Sequence, residues 1–154
     1  MSYTIGVISA EDARPLRQAI LRPGMPVESL VYPGDDSQKT FHRGTFDHTD
    51  DGEGALVCII SMYDEPVPGT DAPAWRIRGM ATLPEHRGRG LGAALAEASI
   101  AHAHGIRRAP VWCNARTGAA GYYEGLGFAR VGDEFEIEGI GPHFVMVRPA
   151  DLIR

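Results

Sequence analysis

Apolar and polar positions alternate from Tyr3 to Ile8, which predicts a strand, and Ser9 with Asp12 three residues on forms a capping-box pattern that should start a helix. Ala13, Leu16, Ala19 and Ile20 follow at helical spacing, Pro15 fits only in a first turn, and Pro23-Gly24 closes the segment. Pro26–Tyr32 reads as a short second helix before the turn-rich Pro33–Asp36, and Thr40–Phe46 as a strand. Asp47–Gly54 is an acidic turn, and the nearly continuous apolar run Ala55–Tyr63 suits a strand covered on both faces. After the proline-rich loop Asp64–Pro73, Trp75–Leu83 alternates large and small residues and stops at Pro84, which cannot donate to a ladder. Gly90–His104 is the clearest helix, with Leu91, Ala94, Leu95, Ala98 and Ile100/Ala101 as its stripe and Gly105 as its C-cap. Ala109–Cys113 reads as a strand, Thr117–Leu126 as a small-residue helix ended by Gly127, and Phe128–Val131 and His143–Arg148 as strands, the last one following the turn Gly139–Pro142. The order predicts a mixed α/β fold on one sheet, and a chain of 154 residues without repeats or linkers predicts a single domain over residues 1–154.

Composition narrows the class. With 44% hydrophobic and 23% charged residues the chain is ordinary for a globular protein. No apolar run approaches the roughly 20 residues of a membrane span, and the first residues lack the pattern of a signal peptide, so a cytoplasmic protein is expected. Cys58 and Cys113 stand in apolar strand-like runs and read as buried free thiols; no paired Cys/His spacing suggests a metal. A net charge of −5 argues against a nucleic-acid partner and leaves a cationic small substrate more plausible than an anionic polymer.

The chemistry concentrates in Leu83–Leu95, between a strand and an amphipathic helix. Gly88, Gly90 and Gly92 let the backbone approach a ligand and turn N–H groups to one point, where the helix N-terminus adds partial positive charge. Arg87 and Arg89 supply full charges for a diphosphate. Gly88-x-Gly90-x-x-Ala93 also fits a relaxed dinucleotide fingerprint, which would suit an NAD-dependent reductase. The acidic residue such a unit wants about 20 residues on is missing, since Ala101–Val111 holds only Arg107 and Arg108 as charged groups.

Arg87, Gly90 and Gly92 match R/Q-x-x-G-x-G/A, and Asn114 at a strand end is followed by a helix in which Tyr123 stands shortly before Gly127-Phe128. In these two motifs, their order and their separation, the chain resembles the GNAT superfamily of N-acetyltransferases. The resemblance implies a mostly antiparallel mixed sheet of about six to seven strands, with helices on both faces. The sheet would be splayed between the strands Trp75–Leu83 and Ala109–Cys113. It implies acetyl-CoA as co-substrate and an amine-bearing small molecule or peptide as acceptor, attacked directly in a ternary complex; a non-catalytic acyl-CoA-binding module is the alternative. Dimerisation is a further expectation of such folds.

Carried onto this chain, the resemblance has the backbone of Met80, Ala81 and Thr82 pair with the pantetheine arm as an added strand would. The diphosphate falls on Arg87, Gly88, Arg89, Gly90, Leu91 and Gly92, Asn114 bonds the pantetheine, and an N–H near Met80 or Ala81 stabilises the oxyanion. Tyr123 is the general acid for the leaving thiolate, while Tyr122 is expected to pack in the core. The Trp75–Leu83 strand lacks the carboxylate base often found there. His143 leads the candidates, with Glu134, Glu136 and water as alternatives. Tyr32, Asp35, Asp36, His42 and Arg43 are candidate acceptor contacts, although acids in such a stretch ordinarily form a solvated turn. Glu85 and His86 read as solvated, Trp75 and Trp112 as core, and His102 and His104 face different ways and share no metal.

Overall fold

The computed structural model describes residues 2–49 and 54–151; the middle of the acidic turn Asp47–Gly54, with Asp51, lies outside them. Seven strands form one sheet: β1 (Tyr3–Ile8), β2 (Phe41–Asp47), β3 (Ala55–Asp64), β4 (Trp75–Thr82), β5 (Val111–Arg116), β6 (Ala129–Ile137) and β7 (Gly141–Arg148). Their order is β1-β2-β3-β4-β5-β7-β6, and every neighbouring pair is antiparallel except β4–β5.

Three helices cover the two faces. Helix α1 (Ala10–Leu16) starts with the capping box seen in the sequence: Asp12 N–H donates to Ser9 Oγ, and Ser9 N–H donates to Asp12 Oδ2, each at 3.0 Å. Pro15 sits beyond the first turn, where its ring deprives the Glu11 carbonyl of a donor. The chain responds by widening at once into a π-turn, Arg17–Leu21. The segment Pro26–Tyr32 is not a helix; three residues, Val27–Ser29, make a single 3-10 turn.

Helix α2 (Leu91–Ile106) buries Leu95, Ala96, Ser99, Ile100 and Ala103 against Cys58, Ile60 and Met62 of β3 and Trp75 and Ile77 of β4. Ala94 and Ala101, placed on the buried stripe by their spacing, are exposed. Alanine is apolar enough to suit either face, so it does not fix a helix's rotation. Gly105 lies inside the helix, and Arg107 rather than glycine ends it. Each fully buried Leu95 or Ile100 side chain contributes about 1.5–3 kcal/mol. On the opposite face α1 packs Ala13 and Leu16 against Ile59 and Ala81. Helix α3 (Ala120–Gly125) is shorter than its sequence suggests, because Thr117–Ala119 forms a 3-10 turn ahead of it.

Two irregularities shape the middle of the sheet. Strands β4 and β5 pair only at Trp75↔Val111 and Arg76↔Trp112, so beyond Arg76 the strands diverge. On the other edge of β4 the register runs Ser61↔Arg78 and then Ile59↔Ala81, which places one extra residue on β4. Gly79 takes φ +65° at this bulge, and a Cβ there would meet the Tyr32 ring at 3.3 Å. The bulge reverses the alternation: Trp75, Ile77 and Met80 face α2, whereas Ala81 faces α1. Strand β6 runs to Ile137, well past Val131; Gly132 at φ +76° allows a register shift that mimics a turn in the sequence.

Candidate functional site

The divergence of β4 from β5 opens two cavities that meet at Met80 and Tyr123. The first, about 470 Å³, runs along Met80, Ala81 and Thr82 to Arg87, Gly88, Gly90, Leu91 and Gly92. Gly88 and Gly90 hold φ +78° and +75°, and Gly90 is the N-cap of α2. No side chain caps that end of the helix, so its first N–H groups face the cleft. A Cβ on Gly92 would come within 2.8 Å of the Tyr122 hydroxyl. Arg87 Nε donates to the Thr82 carbonyl at 3.1 Å, which ties the loop to the strand. Arg89 donates to the Tyr3 hydroxyl and is not among the residues lining the cleft.

Tyr122, expected in the core, is 47% exposed and lines this first cavity. Adjacent residues on a helix point about 100° apart, so only one of the two tyrosines can face inward. Tyr123 is that one. Its ring packs edge-on against Tyr122 and Phe128, at 5.4 and 5.6 Å between centroids. Its hydroxyl donates to Met80 Sδ at 3.7 Å. Burial, then the neighbouring Cys113 and Tyr122, push its pKa above the ordinary phenol value, so the hydroxyl keeps its proton throughout the neutral range.

The second cavity, about 400 Å³, is lined by Met80, Asn114, Tyr123 and His143 with residues of the π-turn. Asn114 belongs to this cavity, and its Oδ1 is buried without a hydrogen-bond partner among the described residues. His143 is 4% exposed, and its Nδ1 lies 2.8 Å from the Gly141 carbonyl. A carbonyl only accepts, so Nδ1 carries the proton and Nε2 of the neutral ring keeps the lone pair. Neither Glu134 nor Glu136 lines either cavity; Glu134 instead accepts from the Thr117 hydroxyl at 2.8 Å. Of the three side chains considered as base, His143 is the one the fold brings beside Tyr123.

Among the candidate acceptor contacts only Tyr32 lines this cavity. Asp36 is exposed, and Arg43 lines neither cavity. Asp35, expected in a solvated turn, is 5% exposed and grips the fully buried Arg17 at 2.7 and 3.1 Å. His42 is buried beside it, with Nδ1 at Ser61 Oγ and Nε2 at the Asp35 carbonyl. These groups brace Tyr32 from behind through Arg17, whose guanidinium carbon lies 4.0 Å from the ring centroid. The sequence reading missed the lining arginines Arg22, Arg76, Arg78 and Arg116. The one signal was the pair Arg76 and Arg78, alternating with Trp75 and Ile77 on a strand.

The remaining expectations divide. Trp75 and Trp112 are core residues whose indole N–H groups donate to the Arg107 and Glu65 carbonyls. Cys58 and Cys113 are free and buried, and burial pushes the Cys113 thiol up to about 12. His102 packs on Phe41, and His104 Nε2 meets the Ala109 carbonyl. His86 is not simply solvated: its Nδ1 lies 3.0 Å from the Tyr3 hydroxyl, and it borders the first cavity.

Comparisons with known proteins agree with this geometry. The family model described as an acetyltransferase (GNAT) domain matches residues 39–147. An uncharacterized N-acetyltransferase of Bacillus subtilis (strain 168), YitI, is 39% identical over 148 residues, spanning 94% of each chain. A putative N-acetyltransferase from Lactobacillus plantarum superposes with a TM-score of 0.75 at 18% identity, over 97% of this chain and 99% of that one. A chain from the NatC complex bound to Gag peptide and CoA gives 0.77 at 17% identity, over 97% and 99%. At these identities the two structures show a shared fold.

Proposed function

The chain belongs to the GNAT acetyltransferase family and is an acyltransferase; from that premise we propose that it moves the acetyl group of acetyl-CoA to a primary amine of a small molecule or peptide, by direct attack in a ternary complex. The observation that carries this reading is the meeting of two cavities at Met80 and Tyr123, one ending at an uncapped helix N-terminus and the other holding His143.

The residues present fit acetyl-CoA. The N–H groups at the start of α2 and the charge of Arg87 suit a diphosphate. Beyond Arg76, β4 has an edge unpaired by β5, where Met80–Thr82 could accept an extended arm. The orphaned Asn114 Oδ1 suits an amide N–H of that arm. Bound acetyl-CoA supplies a thioester-activated acetyl group.

The chain's own groups then move two protons. His143 Nε2 takes one from the incoming ammonium, directly or through water. Tyr123 donates the other toward the departing sulfur, as its hydroxyl already does toward the Met80 thioether. The second proton that the nitrogen must shed to become a neutral amide returns to the Tyr123 oxygen, directly or through water. The burial that makes this phenol a weaker acid also makes a thiolate in the same cleft a stronger base, so the two remain matched. A backbone N–H near Met80 or Ala81, beside the bulge, would stabilise the developing oxyanion.

Isothermal titration of the protein with acetyl-CoA, with NADH as comparison, tests the reading. Acetyl-CoA should bind and NADH should not. Gly90→Asp should weaken acetyl-CoA binding at least about tenfold by setting a negative charge at the diphosphate, whereas Gly90→Asn, which tolerates a positive φ, should weaken it less. Absent binding, or equal affinity in Gly90→Asp, would place the ligand elsewhere.

A further inference from the structure

The second cavity carries an unbalanced positive charge. Arg22, Arg76, Arg78 and Arg116 line it, and no described Asp or Glu does. Arg76 is largely neutralised, since its Nη1 lies 2.8 Å from Glu65 Oε2 while its guanidinium rests on the Trp112 ring. Arg78 differs. Its guanidinium carbon stands 4.4 Å from the Tyr32 ring centroid, and the side chain makes no hydrogen bond or ion pair with any described residue. Burial, then the adjacent Arg76, lowers its pKa; the Glu65 carboxylate, held by Arg76, opposes this only through space, so Arg78 is a cation partly stripped of water with no acid bonded to it.

A guanidinium resting over an aromatic ring, with no hydrogen bond of its own, keeps N–H groups free for a planar oxyanion. Arg78 is also two residues before Met80, so along β4 it lies within roughly 7 Å of the point where the two cavities meet. We propose that the amine acceptor of this enzyme is a small molecule bearing an anionic group, a carboxylate or a phosphate, which Arg78 binds while the amine lies near Met80 and Tyr123. The cavity volume of about 400 Å³ suits a small ligand of amino-acid type. This identification of the acceptor rests on the acetyl-transfer reading.

The test compares matched amines by thiol release from acetyl-CoA: 4-aminobutyrate with butylamine, phenylalanine with phenethylamine, and phosphoethanolamine with ethanolamine. At least one anionic member should exceed its neutral partner in kcat/KM by about tenfold or more, and the winning pair distinguishes carboxylate from phosphate. Arg78→Met should shrink that preference to about twofold, chiefly by raising KM, and Arg78→Lys should restore part of it. Acetyl-CoA affinity should stay the same in both variants. Neutral amines used as well as their anionic partners, or a preference intact in Arg78→Met, would overturn the proposal. If the variants do not fold, the wild-type pairs decide alone. If no amine turns over, titration of the anionic members into CoA-loaded protein decides: binding of none overturns the proposal. Failure of acetyl-CoA itself to bind would instead overturn the acetyl-transfer reading.

Discussion

Replacing Asp35 by Ala leaves the Arg17 guanidinium, 0% exposed, without its carboxylate. The pair is bidentate, at 2.7 Å for Nη1–Oδ2 and 3.1 Å for Nη2–Oδ1, and the Leu30 carbonyl at 2.9 Å and Ser61 Oγ at 3.0 Å remain as neutral partners. Breaking a buried pair from one side costs about 3–5 kcal/mol, because the surviving charge stays desolvated. With an unfolding entropy of about 2.1 cal/mol/K per residue over 154 residues, that corresponds to a fall in Tm of about 10–15 °C. Arg17→Met should cost less, since Asp35 would keep its bonds from the Tyr63 hydroxyl and the Tyr32 N–H, and could take up a proton. The double variant should therefore lose less than the two single losses combined, by more than about 1.5 kcal/mol.

The acid limb of stability supplies a second reading of the same pair. Burial alone would raise the Asp35 pKa, but hydrogen bonds from Arg17, Tyr63 and the Tyr32 N–H overcome it and hold the carboxyl at about 2, against an ordinary 3.8. Between those values the unfolded chain binds more protons than the folded one. The contribution, roughly 2 kcal/mol, is therefore complete above about pH 4 and lost as pH falls toward 2. Denaturant titrations at several pH values should show this loss in the wild type and a flatter acid limb in Asp35→Ala. A cost below about 1 kcal/mol, or losses additive within about 0.5 kcal/mol, would refute the reasoning. Because Arg17 backs the Tyr32 ring, the variant should also raise KM for the amine while leaving acetyl-CoA affinity within about twofold.

Two further outcomes follow from the junction of the cavities. Tyr123→Phe should lower kcat by about 100-fold with acetyl-CoA affinity nearly unchanged, since among the described residues the lost hydroxyl hydrogen-bonds only Met80 Sδ, at 3.7 Å; an unaltered rate would remove its role as proton donor. His143→Gln, which can still donate to the Gly141 carbonyl but offers no basic ring nitrogen, should lower kcat by at least about tenfold with acetyl-CoA affinity nearly unchanged. An unaltered kcat would assign the base to water or another group.

The proposed cofactor side was legible in the sequence because its chemistry is local. Strand, glycine turn and helix N-terminus follow one another from Met80 to Gly92, and each residue type has a backbone reason that needs no tertiary knowledge. The Ser9 cap and the apolar run of β3 were legible for the same reason. Where the reading failed, two local rules competed. Pro15 should be tolerated only in a first turn, yet it sits deeper in α1 and the π-turn behind it absorbs the missing donor. Gly132 should have ended β6, yet a positive φ lets the strand pass through a register shift.

The proposed acceptor side was hidden because its meaning depends on residues far apart in the chain. Asp35 looked like a free acid for a cationic amine, and a net charge of −5 encouraged that view. Its carboxylate is instead consumed by Arg17, eighteen residues earlier. Nothing in the sequence announces that pairing, since it requires the π-turn to lie over β3 and the Pro33–Asp36 turn to fold beneath it. Once Asp35 is withdrawn, and Glu65 is committed to Arg76, no described acid remains to balance Arg78 in the cavity. Net charge averages over a surface, whereas a ligand meets the few groups that a cavity leaves unpaired. An acidic protein can therefore present a basic cavity, and here the divergence of β4 from β5 beyond Arg76 gives that cavity its place beside Tyr123.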